Sequence, residues 1–272
     1  MKKLYKYRSI TKKNLSECFN LNNLINNIAI FSSRKRFNDI FDSKIHINMP
    51  TFEEFKKLET YLKGKELQEY RKWKKNGSFS KEGNVKLVQL EKAFYKTIDS
   101  YPIYCLSGNC QSNLMWSHYA DSHRGFCIEF NFETIPTQKI IYESSIPTID
   151  ILPMIRLYFK IGEKKEYYEE IYKQFGEEIH KKLHIKLNDW VYEDEYRIIF
   201  SCNDVQKDIF YSEEIYRHKY NKNDVNGIIF GCRMTKSAKK YILDNTEFSN
   251  YYQALERKEK IDIVTFNSNN HM

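Results

Sequence analysis

The succession of periodicities along this chain predicts an α+β fold with a mixed or antiparallel sheet and inserted helical segments. Three observations carry that reading. Short stretches that alternate apolar and polar residues recur from the first ten residues to the last ten. Amphipathic segments of helical period and unequal length separate them. No regular strand–helix–strand rhythm appears, so a doubly wound parallel sheet is disfavoured.

Taken in order, Leu4 to Ile10 reads as a strand with Tyr5 and Tyr7 on one face and Lys6 and Arg8 on the other. Leu15 to Asn27 reads as a helix through Leu15, Phe19, Ile25 and Ile28, and Ile28 to Ser32 as a buried strand. A charged loop, Ser33 to Asp42, follows. Thr51 with Glu54 forms a capping-box pattern. It opens a helix through Phe52, Phe55, Leu58 and Leu62 to about Lys75, weakened at Gly64 and broken by Asn76-Gly77-Ser78. A second helix runs from about Val85 to Ile98. These helices read as an insertion, at about 50–99, in a single domain spanning 1–272.

Pro102 to Ser107 is strand-like and turns at Ser107-Gly108-Asn109. A helix from about Ser112 to Asp121 ends before Gly125, and Phe126 to Phe132 alternates as a half-buried strand. Ile149 to Gly176 holds one or two helices with Tyr168, Ile171, Tyr172 and Phe175 as a stripe. Trp190 to Phe200, Gly227 to Cys232 and Lys260 to Phe266 complete the expected sheet.

Composition narrows the function classes. The formal charge of +8 raises the prospect of a polyanionic partner, but Lys72, Lys74 and Lys75 around Trp73 are diluted by Glu66 and Glu69 and read as a solvated helix face. With 9 Gly and 5 Pro the chain disfavours a glycine-rich phosphate loop or a long flexible linker. The six cysteines lack CxxC spacing, so neither a zinc ribbon nor a disulfide framework is indicated. No apolar stretch follows Met1-Lys2-Lys3, and no window approaches the ~18 apolar residues a bilayer span needs. A cytoplasmic protein with reduced thiols, no membrane partner and no metal is expected.

Three constellations could carry chemistry. In Val191 to Phe200, strand alternation would project Glu193, Glu195 and Arg197 together, with Tyr192, Tyr196 and Ile198 opposite. Neighbouring carboxylates suit binding of ribose hydroxyls, stabilisation of an oxocarbenium-like transition state or general-base work; the alternative is a polar strand face with an Arg–Glu ion pair. His118, Tyr119 and His123 form the second group; a five-residue spacing does not stack two histidines as a metal pair. Trp116 and Met115 read as core. The third is Arg8 with Phe31-Ser32-Ser33 and the Arg36-Phe37-Asn38-Asp39 loop, where Arg8 could fork a phosphate or carboxylate, Ser32 or Ser33 could orient a ligand, and Asn38 or Asp39 could cap local backbone instead. His180 and His184 lack further ligands nearby in sequence, and Cys105 and Cys110 read as small buried residues.

Together, Tyr5-Lys6-Tyr7-Arg8, Phe37-Asn38-Asp39-Ile40-Phe41-Asp42, Met115-Trp116-Ser117-His118-Tyr119-Ala120 with His123 and Gly125, Trp190 to Arg197 and Ile228-Ile229-Phe230-Gly231 resemble a widespread bacterial domain family of unknown function. Ile40 stands where that family usually has Pro. A weaker likeness links Arg8, Ser32 and Glu193-x-Glu195 to the Arg, Ser-x-Ser, Glu-x-Glu order of ADP-ribosyltransferases. That similarity implies Glu195 as the catalytic carboxylate, Glu193 as its companion, Arg8 as the NAD contact and Ser32 as support.

The resulting expectation is an NAD-dependent ADP-ribosyltransferase-like toxin or phage-defence effector, with NAD as substrate and a nucleic acid or protein as acceptor. Its catalytic set is Glu195, Glu193 and His118, and its binding set Arg8, Ser32, Tyr119, Asn38 and Arg197. It requires Arg8, Glu195 and His118 to line one cleft. Two alternatives stay open: a non-catalytic nucleic-acid or protein binding module, and a metal-independent nuclease using His118 or His123 with Glu195.

Overall fold

A computed structural model describes residues 3–131, 136–161, 165–200, 206–210 and 213–267, with backbone alone at 165–168, 206–210 and 213–214. The fold is α+β, and the chain divides into two units. The first comprises Met1–Phe37, Tyr101–Tyr142 and Asn188–Met272; the second comprises Asn38–Ser100 and Glu143–Leu187.

The first unit is built on a mixed sheet. Its strands are β1 (Leu4–Arg8), β2 (Ile28–Ser32), β3 (Ile103–Ser107), β4 (Phe126–Phe130), β5 (Gln138–Lys139), β6 (Glu195–Ile199), β7 (Gln206–Phe210), β8 (Glu213–Lys219), β9 (Val225–Phe230), β10 (Tyr251–Glu256) and β11 (Ile261–Thr265). The order is β7-β8-β2-β3-β1-β4-β9-β10-β11, with β6 paired to β3 and β5 paired to β6. Only β9 and β10 pair in parallel among these; α3 (Lys236–Asn245), capped by the Thr235 side chain, connects them.

Strand β3 is where the sheet divides. It pairs along its full length with β6, from Glu195 opposite Ser107 to Ile199 opposite Ile103. Its other edge is shared: Tyr5 of β1 lies opposite Ser107 at one end, and Ser32 of β2 opposite Ile103 at the other. A strand has two edges, so β1 and β2 must diverge between these contacts. The main core lies on one face, where Phe31, Tyr104, Phe130, Tyr216, Tyr220 and Phe230 pack with α1 (Phe19–Ile25) and α3. On the opposite face, Tyr5, Tyr7, Cys127 and Ile229 pack against Met115 and Trp116 of α2 (Asn113–Tyr119).

Trp116 is fully buried, meets Tyr7 edge-on at 5.1 Å, and donates its indole N–H to the Cys110 carbonyl at 2.8 Å. Cys110 therefore serves the fold through its backbone. The Glu129 carboxylate, buried on the sheet, accepts from Asn226 and pairs with Lys3 at 3.1 Å.

In the second unit, Phe55, Tyr70 and Trp73 stack around Phe159. The helix expected from Phe52 to about Lys75 is divided into Phe52–Lys57, a tight turn Leu58–Tyr61, and Gly64–Lys72. Gly64 begins the last piece at φ +55, a left-handed geometry glycine adopts without side-chain strain. The Thr51–Glu54 capping box forms as read. Asn76 and Gly77, at φ 52 and 75, close a hairpin between Lys74–Lys75 and Ser78–Phe79. The following helix runs Lys81–Ile98 from a Ser80 cap. Two helices, Leu152–Tyr158 and Lys165–Lys182, occupy the stretch read from Ile149 to Gly176; the side chain of Tyr168 lies outside the described residues, as does Phe132. His184 is buried and its Nδ1 lies 2.8 Å from the His180 carbonyl, which makes it a helix-end group. A buried ion pair joins Lys186 to Asp42 at 3.1 Å.

Candidate functional site

The carboxylate pair is assembled differently from the expected continuous strand. Asn188–Glu193 is a tight helical turn, Asp194 has φ +43, and β6 starts only at Glu195. The physical reason is local. Asn188-Asp189 and the polar Glu193-Asp194-Glu195 run favour turn geometry, and Gly108 leaves room for the Asp194 side chain, where a Cβ would collide with its carboxylate. The Gly108 N–H donates to the Asp194 carbonyl at 2.8 Å, and the Ser107 hydroxyl to the Glu193 carbonyl at 2.6 Å. Lys139 holds the Asp194 carboxylate at 2.8 Å.

Glu193 and Glu195 thus approach one region from a turn and a strand. Arg197 and Tyr119 are among their partners. Arg197 engages Glu195 through Nε to Oε1 at 2.6 Å and Nη2 to Oε2 at 3.3 Å, with both side chains buried and the guanidinium 5.7 Å from the Phe37 ring. The Tyr119 hydroxyl of α2 donates to Glu193 at 2.5 Å. The Glu195 amide donates to the Tyr142 hydroxyl at 2.9 Å. Beside them runs a line of rings, Trp190 to Tyr192 at 5.9 Å, Tyr192 to His118 at 6.2 Å, and His118 to Tyr119 at 6.3 Å. His118 is exposed at the end of that line.

The structure therefore brings Glu193, Glu195, Arg197, Tyr119 and His118 together. It does not bring Arg8 to them. Glu195, opposite Ser107, shares the face that carries Tyr5, whereas Lys6 and Arg8 alternate to the other face beside Tyr104. The required single cleft for Arg8, Glu195 and His118 is corrected on that ground. Ser32 lies at the far end of β3, opposite Ile103, about 13 Å along the strand from Ser107. Asn38 belongs to the second unit.

His123 takes a separate position. Asp121, Ser122 and His123 are three successive left-handed residues, with φ 48, 50 and 70. Such runs are costly for residues bearing a Cβ. They fold the chain back so that the His123 ring lies parallel to Trp116 at 6.4 Å, with Nε2 3.2 Å from the Ser117 hydroxyl. Burial, and then the neighbouring Arg233 charge, lowers the His123 pKa below the usual histidine value. A cleft of about 270 Å³ adjoins this ring, with Cys232, Arg233 and Glu256 among its walls. Burial raises the Cys232 thiol pKa, so thiolate chemistry is disfavoured there.

Gly125 and Gly231 let these segments approach. A Cβ on Gly125 would strike the Arg8 carbonyl, and one on Gly231 the His123 carbonyl. The motifs Met115 to Gly125 and Ile228 to Gly231 are thereby packed against β1 and one another. Among the described residues no group of three His, Cys, Asp or Glu is placed to hold a metal ion, and no helix is long and apolar enough to cross a membrane.

Residues 115–198 match the model of a family described as a protein of unknown function (DUF2971). The matched stretch opens in α2 and closes in β6, so it contains His118, Tyr119, Glu193, Glu195 and Arg197. Arg8 and Ser32 lie outside it. No curated protein and no solved structure matches the chain.

The sequence reading missed the contributions of Tyr142, Trp190 and Tyr192. Trp190 and Tyr192 were legible as aromatic residues next to an acidic run, a pairing suited to stacking and hydroxyl recognition. Tyr142 carried no comparable signal, because its role depends on β5 bringing Ile140 to the Glu195 carbonyl at 2.9 Å.

Proposed function

We propose that the protein breaks the ribosyl–nicotinamide bond of NAD and transfers the ADP-ribosyl group, with Glu193 as the catalytic carboxylate. The observation that supports this is a pair of buried carboxylates beside a line of rings that ends at exposed His118. Arg197 engages Glu195 from the same strand, and Tyr119, next to His118, donates to Glu193 at 2.5 Å. Two acids at one site can divide structural and chemical roles. With Arg8 on the opposite face, the transferase likeness lends no support, and the carboxylates and rings alone carry the reading.

In the proposed reaction the C1′–N bond breaks and its electron pair leaves with neutral nicotinamide. The Glu193 carboxylate stabilises the positive charge developing on the ribose, and Tyr119 keeps that carboxylate in place. A nucleophilic hydroxyl or amine of the acceptor then forms the new bond to C1′, and His118 takes its proton. The Trp190–Tyr192–His118 line offers faces for a planar base or a sugar ring.

The test is NAD consumption by purified protein supplemented with cell extract as a source of acceptors. Glu193→Gln should lose activity by on the order of a hundredfold or more while remaining folded. A wild-type protein that consumes no NAD, or a Glu193→Gln variant with wild-type turnover, would sink the reading.

A further inference from the structure

The division of the sheet at β3 leaves a second constellation on the opposite face from Glu193 and Glu195. Lys6 and Arg8 project from β1 toward the opening between the diverging strands. Lys6 Nζ donates to the Cys105 carbonyl at 2.5 Å, occupying a ladder position that β1 leaves vacant, and lies 4.6 Å from the centre of the Tyr104 ring. The Arg8 guanidinium is 5.7 Å from the same ring centre. From the other half of the sheet, just beyond β8, comes Tyr220. Its ring meets Phe130 edge-on at 5.2 Å, and Phe130 also borders Tyr104 at 6.4 Å.

The polar inventory of this opening is one-sided. Tyr220 is 5% exposed, and among the described residues its hydroxyl has no hydrogen-bond partner, while Arg8 and Tyr104 act on it electrostatically. Buried phenols normally find a partner, and leaving one unmet costs stability. Among the described residues neither Lys6 nor Arg8 has a carboxylate within ion-pairing distance. Two cations side by side in the middle of a sheet repel, and each loses hydration. Burial first, and then the Arg8 charge, push the Lys6 amine down to about 7, with Cys105, Glu195 and Glu193 offsetting only part. Both residues nevertheless keep partial solvent access, although the remainder of β1 is buried. The opening thus presents two basic side chains and two phenols, and among the described residues no partner accepts from all of them.

We propose that Lys6, Arg8, Tyr104 and Tyr220 form a binding site for the phosphate group of a small ligand, separate from the Glu193 site. A phosphate supplies the missing negative charge and several acceptor oxygens at once. Arg8 offers a planar fork, Lys6 a point charge and the phenols single donors, a mixture that suits a tetrahedral anion better than a planar carboxylate. The inference does not depend on the reaction proposed above, because its residues lie on the opposite face of the sheet.

The experiment is calorimetric titration of the full chain with inorganic phosphate, with AMP as a phosphomonoester, and with chloride as the control anion. Phosphate or AMP should bind saturably while chloride does not compete at equal concentration. Arg8→Gln should weaken that binding by roughly tenfold or more, the scale of a charge-assisted hydrogen bond. Tyr220→Phe removes only an unpartnered hydroxyl, so the variant should fold as stably as the wild type yet bind several-fold more weakly. Tighter binding of AMP than of phosphate assigns a phosphomonoester, and the reverse assigns the free anion; both support the site. The proposal is overturned if neither probe binds, or if both bind the Arg8→Gln and Tyr220→Phe variants with wild-type affinity.

Discussion

Arg197 holds Glu195 by two contacts, 2.6 and 3.3 Å, although the residues are only two positions apart on one strand. Same-face neighbours on a strand are close enough for this, and enclosure of both side chains removes the competing water. Removing one member of a buried ion pair leaves the other charge under-compensated, at a cost of about 3–5 kcal/mol. Arg197→Met should therefore lower unfolding stability by about that amount in a denaturant titration. Arg197→Met with Glu195→Gln should recover part of the loss. A single variant as stable as the wild type would show that the pair is not a structural clamp.

Lys6 gives a pH signature. Its folded pKa of about 7 lies below the ordinary 10.5, because of burial first and then the Arg8 charge; Cys105, Glu195 and Glu193 act in the opposite direction. Between those values the unfolded chain binds more protons than the folded one, so stability rises with pH across that window. Below about pH 7 the full penalty of a charged Lys6 is present. The wild type should therefore gain stability relative to Lys6→Met as pH is raised from about 7 toward 10.5. Losing the donor to the Cys105 carbonyl shifts the variant by a nearly constant amount and leaves this slope intact. Parallel stability curves for the two proteins would exclude the effect.

The alternation Tyr5-Lys6-Tyr7-Arg8 made β1 and its faces legible, since period two maps directly onto a strand. The same rule misread Trp190 to Glu193, where side-chain hydrogen bonding and the turn at Asp194 outweighed the alternation. In β8, Ile215 and Tyr216 are adjacent and both buried, so the apolar–polar alternation that marks a half-buried strand is broken there. The candidate site was half visible. Glu193, Glu195 and Arg197 advertise themselves by charge, but the separation of Arg8 from them depends on the register that sets Tyr5 and Glu195 opposite Ser107. That is a long-range pairing with no local signature.

Gly125 and Gly231 should tolerate no side chain. Each added Cβ meets a backbone carbonyl, of Arg8 and of His123, and backbone cannot step aside as a flexible side chain can. Gly125→Ala and Gly231→Ala should each cost about 2 kcal/mol or more by thermal or denaturant unfolding. An alanine variant within about 0.5 kcal/mol of the wild type would mean that the segments separate easily.

His123 should make the fold acid-sensitive. Its pKa is lowered by burial and by Arg233, with Glu256 opposing. As pH falls through about 6.5, the usual histidine value, the unfolded state protonates first and stability declines. His123→Gln should flatten this part of the stability–pH curve when compared with the wild type between pH 7 and about 5. An unchanged slope would assign the acid sensitivity to other groups.

Tyr119 tests how the proposed catalytic carboxylate is oriented. Its hydroxyl donates to Glu193 at 2.5 Å from the last turn of α2, and the ring borders the core formed by Tyr5, Tyr7 and Trp116. Tyr119→Phe keeps the ring and removes the donor. Stability should fall by about 1–2 kcal/mol, because an acceptor in a buried setting loses one partner. If Glu193 must be held at a fixed angle to the ribose, kcat for NAD consumption should fall roughly ten- to a hundredfold, with KM changing much less. A purely structural role predicts the stability loss with kcat unaltered at temperatures where the variant is folded. Measuring both parameters on the same preparation separates the two roles, since only positioning of Glu193 links the phenol to the rate.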